Sequence, residues 1–178
     1  AVMMILAENR GTIKGLTYPG QSYASDIYKY HLIQKLKYTK ICREGHSIDQ
    51  GCIPDYYYSK QNNKKLNGQD AYAPVMGGSY IILKNGVHLA INAVDTNCNE
   101  TAGSFGSVAN PVCGAIAVDV NGIKGPNTLG IDMYYIVIYE NGIKPASTTG
   151  PYLCKRGDTS VYNDGRYCAI KVLMNEDY

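Results

Sequence analysis

Four stretches of this chain are apolar, β-branched and aromatic, and Gly, Asn or Asp stands at or next to the ends of each. That pattern predicts strands over residues 79–84, 87–94, 115–118 and 133–139. Asn85-Gly86 separates the first two, and this dipeptide between apolar runs is the strongest short hairpin signal. The last two flank Asp119-Val-Asn-Gly-Ile-Lys-Gly-Pro-Asn-Thr-Leu-Gly-Ile-Asp132, a turn whose geometry is specified locally. Gly122, Gly125 and Gly130 permit positive φ, Pro126 restricts its own φ, and Asn121 and Asn127 can bond nearby backbone. Asn141-Gly142 ends the fourth strand, and a short final strand is expected over 167–173.

The first third of the chain reads differently. Residues 1–7, Ala-Val-Met-Met-Ile-Leu-Ala, are too few for a membrane span or a signal-peptide core, and read as the stump of a longer helix removed by processing. Residues 9–20 hold three glycines and Pro19, the mark of an extended connector. Ser22 suits the N-cap of a helix reaching about Ile41, with Tyr23, Ile27, Tyr30, Tyr38 and Ile41 on one face and Gln34 inside that stripe. Leu32 and Leu36 fall on another face, so the helix is either covered on two sides or broken. Residues 42–78 are polar and irregular.

Helix, connector, then strands indicates an α+β domain, with helices packed on one face of an antiparallel sheet of four or more strands. One domain is expected over 1–178. Residues 1–10 are the helix remnant, 11–78 the helix and connecting region, and 79–178 the sheet and a disulfide-bearing C-terminal region. At 178 residues, 45% of them hydrophobic, the chain can bury one core.

A net charge of +2 gives no strong pull toward nucleic acid or anionic membrane. Lysines gather at Lys29, Lys35, Lys37 and Lys40, and again at Lys60, Lys64 and Lys65. Both groups read as solvated faces, and no nucleic-acid partner is predicted. Tyrosine is the unusual component: 17 Tyr against one Phe and no Trp. An apolar ring with a polar tip suits partly buried surfaces and partner contacts, so Tyr56, Tyr57, Tyr58 and Tyr72 are candidate interface or ligand residues.

Cys42, Cys52, Cys98, Cys113, Cys154 and Cys168 form three local couples, which argues for disulfides and an oxidising compartment. Six cysteines permit 15 pairings. Closure between neighbours, Cys42 with Cys52, Cys98 with Cys113 and Cys154 with Cys168, needs the least chain travel.

Candidate chemistry is sparse. Asp119, Asn121 and Asp132, with backbone carbonyls, offer oxygen ligands to calcium, as against a purely structural Asx-rich turn. The loop departs from an EF-hand: a third carboxylate is missing, and Gly130 stands where the closing acid belongs. Cys42, His46 and Cys52 have zinc-capable chemistry, but their loose spacing favours a disulfide beside a surface histidine. His31 and His88 read as packing or surface residues. No Gly-x-Ser-x-Gly elbow, phosphate-cradling glycine loop or dinucleotide fingerprint is present, a thiol nucleophile would need an unpaired Cys, and two carboxylates alone do not diagnose a glycosidase. Enzymatic activity is not expected. Asn99-Glu-Thr101 matches a glycosylation sequon, which matters only in a secretory host.

The order Cys113-Gly, apolar strand, Asp119-to-Asp132 loop, aromatic strand, Asn141-Gly-Ile-x-Pro145 resembles the soluble head of bacterial type IV pilin-like proteins, the class that includes pseudopilins of type II secretion. Gly165-Arg-Tyr-Cys-Ala-Ile-Lys-Val-Leu-Met174, Leu83-Lys-Asn-Gly86 and Met4-Ile-Leu-Ala-Glu-Asn-Arg-Gly11 add to the likeness, which covers most of the chain. It implies a structural subunit of a type IV pilus or secretion-type filament, at the bacterial surface, outside the cell or in the periplasm. Its partners would be other subunits, and the inner membrane through a hydrophobic N-terminal helix before assembly. Beyond the remnant at residues 1–10 that helix is missing, and its cleavage motif and its glutamate match no residue here, which is the main departure from the family. A secreted adhesin, or a sugar- or protein-binding module gripping through exposed tyrosines, is the other reading.

Overall fold

The structure is a computed structural model of the 178-residue chain, and it describes residues 1–17, 19–58, 62–71, 78–93, 95–99, 112–146 and 154–178. Tyr72 lies outside them, as do Lys60 and the last two residues of the Asn99 sequon; the side chain of Tyr58 is also not described.

The elements run α1 (Val2–Glu8), α2 (Ala24–Ile33), β1 (Tyr38–Cys42), a 3₁₀ turn (Asp55–Tyr58), β2 (Ser79–Leu83), β3 (His88–Ala93), β4 (Val112–Asp119), β5 (Met133–Tyr139), β6 (Gly142–Pro145) and α3 (Ala169–Leu173). The six strands form one antiparallel sheet in sequential order. The fold is therefore α+β, with two more strands than the minimum expected.

The Asn85-Gly86 hairpin forms as expected, with Gly86 at φ 87 and its N–H bonded to the Leu83 carbonyl. Asn141-Gly142 does more than end a strand: Tyr139 pairs with Gly142, so the dipeptide turns β5 back into β6.

Two expected elements are corrected. The helix predicted to reach Ile41 stops at Ile33, and Tyr38–Cys42 is instead the edge strand β1, with Ile41 opposite Ile81 and Cys42 opposite Tyr80. Thr39 and Ile41 are β-branched, and the run takes up the free edge of β2. The N-cap is Tyr23 rather than Ser22 and caps through no side chain. The segment expected as a final strand is the short helix α3. It packs beside β5 and belongs to no edge of the sheet, so its backbone groups must be satisfied within the segment.

Strand alternation divides the core between two faces. On the first, Ile41, Ile81, Ile91, Ile116 and Ile138 from five successive strands meet Ile5 and Leu6 of α1, Ile27, Tyr28 and Leu32 of α2, and Ile13 and Leu16 of the connector. On the second, Tyr80, Ala90 and Ala117 are covered by Ile53, Tyr57 and the Cys42–Cys52 bridge. Val112, Val137 and Tyr139 on that side are covered by Tyr167 and Ala146, and Met133 by Leu129 and Ala71. Irregular chain, not helix, makes most of this second layer.

All six cysteines pair between neighbours: Cys42–Cys52, Cys98–Cys113 and Cys154–Cys168. Each bridge is worth about 2–4 kcal/mol, mainly through the unfolded chain. The second layer depends on two of them, because it has little regular secondary structure of its own. Gly165 lets the C-terminal segment close onto the sheet: at φ +84 its Cα lies against the Leu129 backbone, where any Cβ would overlap the carbonyl.

Candidate functional site

The Asp119–Asp132 loop sits at the end of the β4–β5 hairpin, and the structure brings its two carboxylates close to the same turn. Asp119 closes β4 on the second face, directly opposite His88 on β3 and Met133 on β5. The Tyr57 hydroxyl donates to Asp119 Oδ2 at 2.5 Å, and the Asn121 N–H donates to Oδ1 at 3.2 Å. Asp132 Oδ1 accepts the Thr128 N–H at 2.6 Å; its Oδ2 accepts the Asn127 N–H at 2.8 Å and Asn121 Nδ2 at 3.2 Å. Asn121 Nδ2 also donates to the Gly125 carbonyl, and the Gly125–Pro126 peptide is cis.

In this Asx turn both carboxylates accept donors from the chain, while Asn121 Oδ1 and Asn127 Oδ1 are buried with no hydrogen-bond partner. A hard cation needs oxygens with free lone pairs directed at one point. Here both carboxylates already accept N–H or O–H donors from the chain. Among the described residues, no group of three or more His, Cys, Asp or Glu is placed to hold a metal. The loop is also braced from outside, since Lys64 N–H donates to the Asn127 carbonyl at 3.0 Å and the Lys64 carbonyl accepts the Leu129 N–H at 2.9 Å.

The zinc-capable trio takes the disulfide reading: Cys42 and Cys52 are bonded to each other, and His46 Nδ1 pairs with Asp49 Oδ2 at 2.8 Å. His88 is buried, with Nδ1 3.2 Å from the Tyr80 hydroxyl and the two rings edge to face. Burial lowers its pKa, so it is held neutral. His31 Nε2 lies 2.9 Å from the Thr17 carbonyl at the exposed side of α2.

Tyr57 is corrected outright. It was a candidate contact residue, but it is 0% exposed and belongs to the core beneath the sheet, while neighbouring Tyr56 is 59% exposed. Burial, with Asp119 beside it, drives its hydroxyl pKa far above that of free tyrosine, so it acts only as a hydrogen-bond donor. Tyr28, Tyr80, Tyr139 and Tyr167 are buried too, so much of the tyrosine excess is core material.

Lys29 overturns a second expectation. Instead of belonging to a solvated lysine face, it is 0% exposed and paired with Asp26, also 0% exposed, one helical turn away. Lys29 Nζ also donates to the Cys42 carbonyl at 3.0 Å, and Asp26 Oδ1 accepts from Ser79 Oγ and the Glu44 N–H. Burial pushes the Asp26 carboxyl up, but the Lys29, Ser79 and Glu44 bonds outweigh it and hold it below the usual range. Burial lowers Lys29 against the pull of Asp26. The network pins α2 to β2 and to the chain leaving β1. The only signal in the sequence was the i, i+3 spacing of Asp26 and Lys29, which surface helices carry as often.

Asp119 is the group whose titration reports on the site. Burial dominates and pushes its carboxyl up to about 6, with the Tyr57 and Asn121 bonds opposing and Asp132 reinforcing. Its folded pKa lies above the ordinary 3.8, so the stability it contributes is complete below pH 3.8 and is lost as pH rises through about 6. Buried neutral His88 acts in the opposite sense, losing stability on acidification through its own lowered pKa. Comparison with Asp119→Asn isolates the first effect. Urea unfolding should show the variant gaining about 2–3 kcal/mol on wild type between acid and neutral pH. A constant difference across that range would mean that Asp119 is not buried as described.

Exposed apolar side chains gather on two helices. On α1, Ile5 and Leu6 are buried, whereas Met3 and Met4 are 74% and 53% exposed. On α3, Ile170, Val172 and Leu173 are exposed, as are Val120, Ile123 and Ile131 on the Asp119–Asp132 loop. No helix among the described residues is long and apolar enough to cross a membrane. Three disulfides fit an oxidising compartment, periplasmic or extracellular. The chain matches no known family, no curated protein and no solved structure.

Proposed function

We propose that this chain is the globular head of a pilin-like filament subunit, major or minor. The observation that carries the reading is α1, whose run Val2-Met-Met-Ile-Leu-Ala7 is apolar all round. One side of it lies on the sheet, and the other presents Met3 and Met4. A helix hydrophobic on every side is a helix meant to be covered on every side. In a filament, the second side is covered by neighbouring subunits. The work of the molecule is then mechanical: a disulfide-braced head, with its sheet resting on the N-terminal helix, is carried at the end of an assembly helix.

The resemblance of the Asp119–Asp132 loop and its flanking strands points the same way, and the three disulfides fit the oxidising compartment of such a subunit. The adhesin reading keeps Tyr56 but loses Tyr57, the centre of its aromatic triplet, to the core.

Shearing of intact producing cells, followed by immunoblotting of the released filaments, tests the proposal. The protein should be in the sheared filament fraction. Met3→Glu combined with Met4→Glu should remove it from that fraction while leaving the melting temperature of the head unchanged, because neither side chain is in the core. Release of wild-type protein only as free monomer, or unimpaired assembly of the double variant, would count against a filament subunit packed through α1.

A further inference from the structure

The chain contains four Asn-Gly dipeptides, beginning at Asn67, Asn85, Asn121 and Asn141. Glycine leaves the following main-chain nitrogen unhindered, so it can attack the asparagine side-chain amide carbon. A C–N bond forms to close a succinimide, the side-chain nitrogen leaves as ammonia, and water opens the ring to aspartate or isoaspartate. Closure requires the side chain to swing onto the next nitrogen, so hydrogen bonds that hold its amide elsewhere oppose it.

Three of the four are held. Asn67 Nδ2 donates to the Ser160 carbonyl at 2.9 Å, and its Oδ1 accepts the Gln69 N–H at 3.1 Å. Asn85 Oδ1 accepts the Val87 N–H at 3.3 Å. Asn121 Nδ2 is shared between Asp132 and the Gly125 carbonyl, each at 3.2 Å. Asn141 is exposed, and its side chain bonds to no described residue. Beside it, Gly142 stands at φ 158, with nothing within 4 Å of the place a Cβ would take.

We propose that Asn141 is a modification site of this protein, converting to aspartate and isoaspartate through the succinimide while the other three Asn-Gly pairs are protected by the fold. This is independent of the filament reading. Glu140 and Asn141 form the turn that Tyr139 and Gly142 close, and the Glu140 carbonyl accepts the Ile13 N–H at 2.8 Å from the connector behind α1. Isoaspartate adds a methylene to the main chain at that turn, and either product adds a negative charge beside Glu140. Conversion therefore loosens edge strand β6 and the seat of the connector.

Peptide mapping by mass spectrometry, after incubation of the folded chain in mildly alkaline buffer, reads the amide-to-acid mass gain at all four sites. Each hydrogen bond that must first break slows closure by about fivefold to tenfold, so Asn141 should lead the others by at least that factor. In urea the four rates should converge. Gly142→Ala, whose methyl meets open space although φ +158 strains it, should suppress the gain at residue 141 alone. The proposal is overturned if Asn67, Asn85 or Asn121 keeps pace with Asn141 in the folded chain. It is equally overturned if no site converts, or if Gly142→Ala leaves the gain intact.

Discussion

Lys29→Met is expected to lower the unfolding free energy by about 3–5 kcal/mol, because it strands the Asp26 carboxylate in a site with no access to water. The Ser79 hydroxyl and the Glu44 N–H still donate to Asp26, but the nearest remaining cation, Arg43, has its Nε 4.0 Å from Oδ2 and is half exposed. The pH dependence should change sign. In wild type, Asp26 has a lowered folded pKa, so its contribution is present above pH 3.8 and is lost as pH falls through that lower value. In the variant, the unpaired carboxyl takes up a proton more readily than in the unfolded chain, and the deficit should shrink on acidification. A second change, Asp26→Leu, should restore much of the loss, since removing both charges leaves nothing uncompensated. Urea denaturation of the two single variants and the double, with disulfides intact, supplies the cycle. Additive losses would mean that the two side chains are not a buried pair.

Tyr57→Ala carries a similar cost, about 3–5 kcal/mol, from the cavity left among Ile53, Tyr80, Ala90, Ala117 and the Cys42–Cys52 bridge. Tyr57→Phe retains the ring and removes only the donor to Asp119, at about 1–2 kcal/mol. The two variants thus separate packing from hydrogen bonding at one residue. Losing the Tyr57 hydroxyl also removes the bond that most opposes the rise of the Asp119 pKa, so Tyr57→Phe should push that carboxyl higher still. Equal losses from the Ala and Phe variants would show that the ring is not packed where the structure puts it.

What the sequence disclosed follows from how local each determinant is. The β2–β3 hairpin was legible because Asn85-Gly86 dictates its turn, and the limits of β5 were legible because turn residues bracket its aromatic run. Disulfide pairing was left open among 15 possibilities, and the structure takes the neighbour closure that needs the least chain travel. β1 was misread because Tyr38 and Ile41 are three apart, a spacing that serves a helix as well as a short strand; only the free edge of β2 decides between them. α3 was misread because Ile170, Val172 and Leu173 have strand composition, yet the segment joins no strand of the sheet.

Burial of polar groups was the least visible level. Lys29 looked like one of a lysine series and Tyr57 like one of a tyrosine triplet, and nothing within a few residues distinguishes either from its neighbours. Their partners, the Cys42 carbonyl for Lys29 and Asp119 for Tyr57, are 13 and 62 residues away. The Asp119–Asp132 loop lay between these cases. Its turn chemistry was readable, but the donors that meet its carboxylates, at Thr128, Asn127 and Tyr57, were not.

The coding sequence immediately upstream of the Ala1 codon tests the filament reading most directly. A head built to rest on an assembly helix requires an apolar run of about 20 residues joined without a break to α1. A start codon adjoining Ala1, or a polar segment in place of that run, would contradict it.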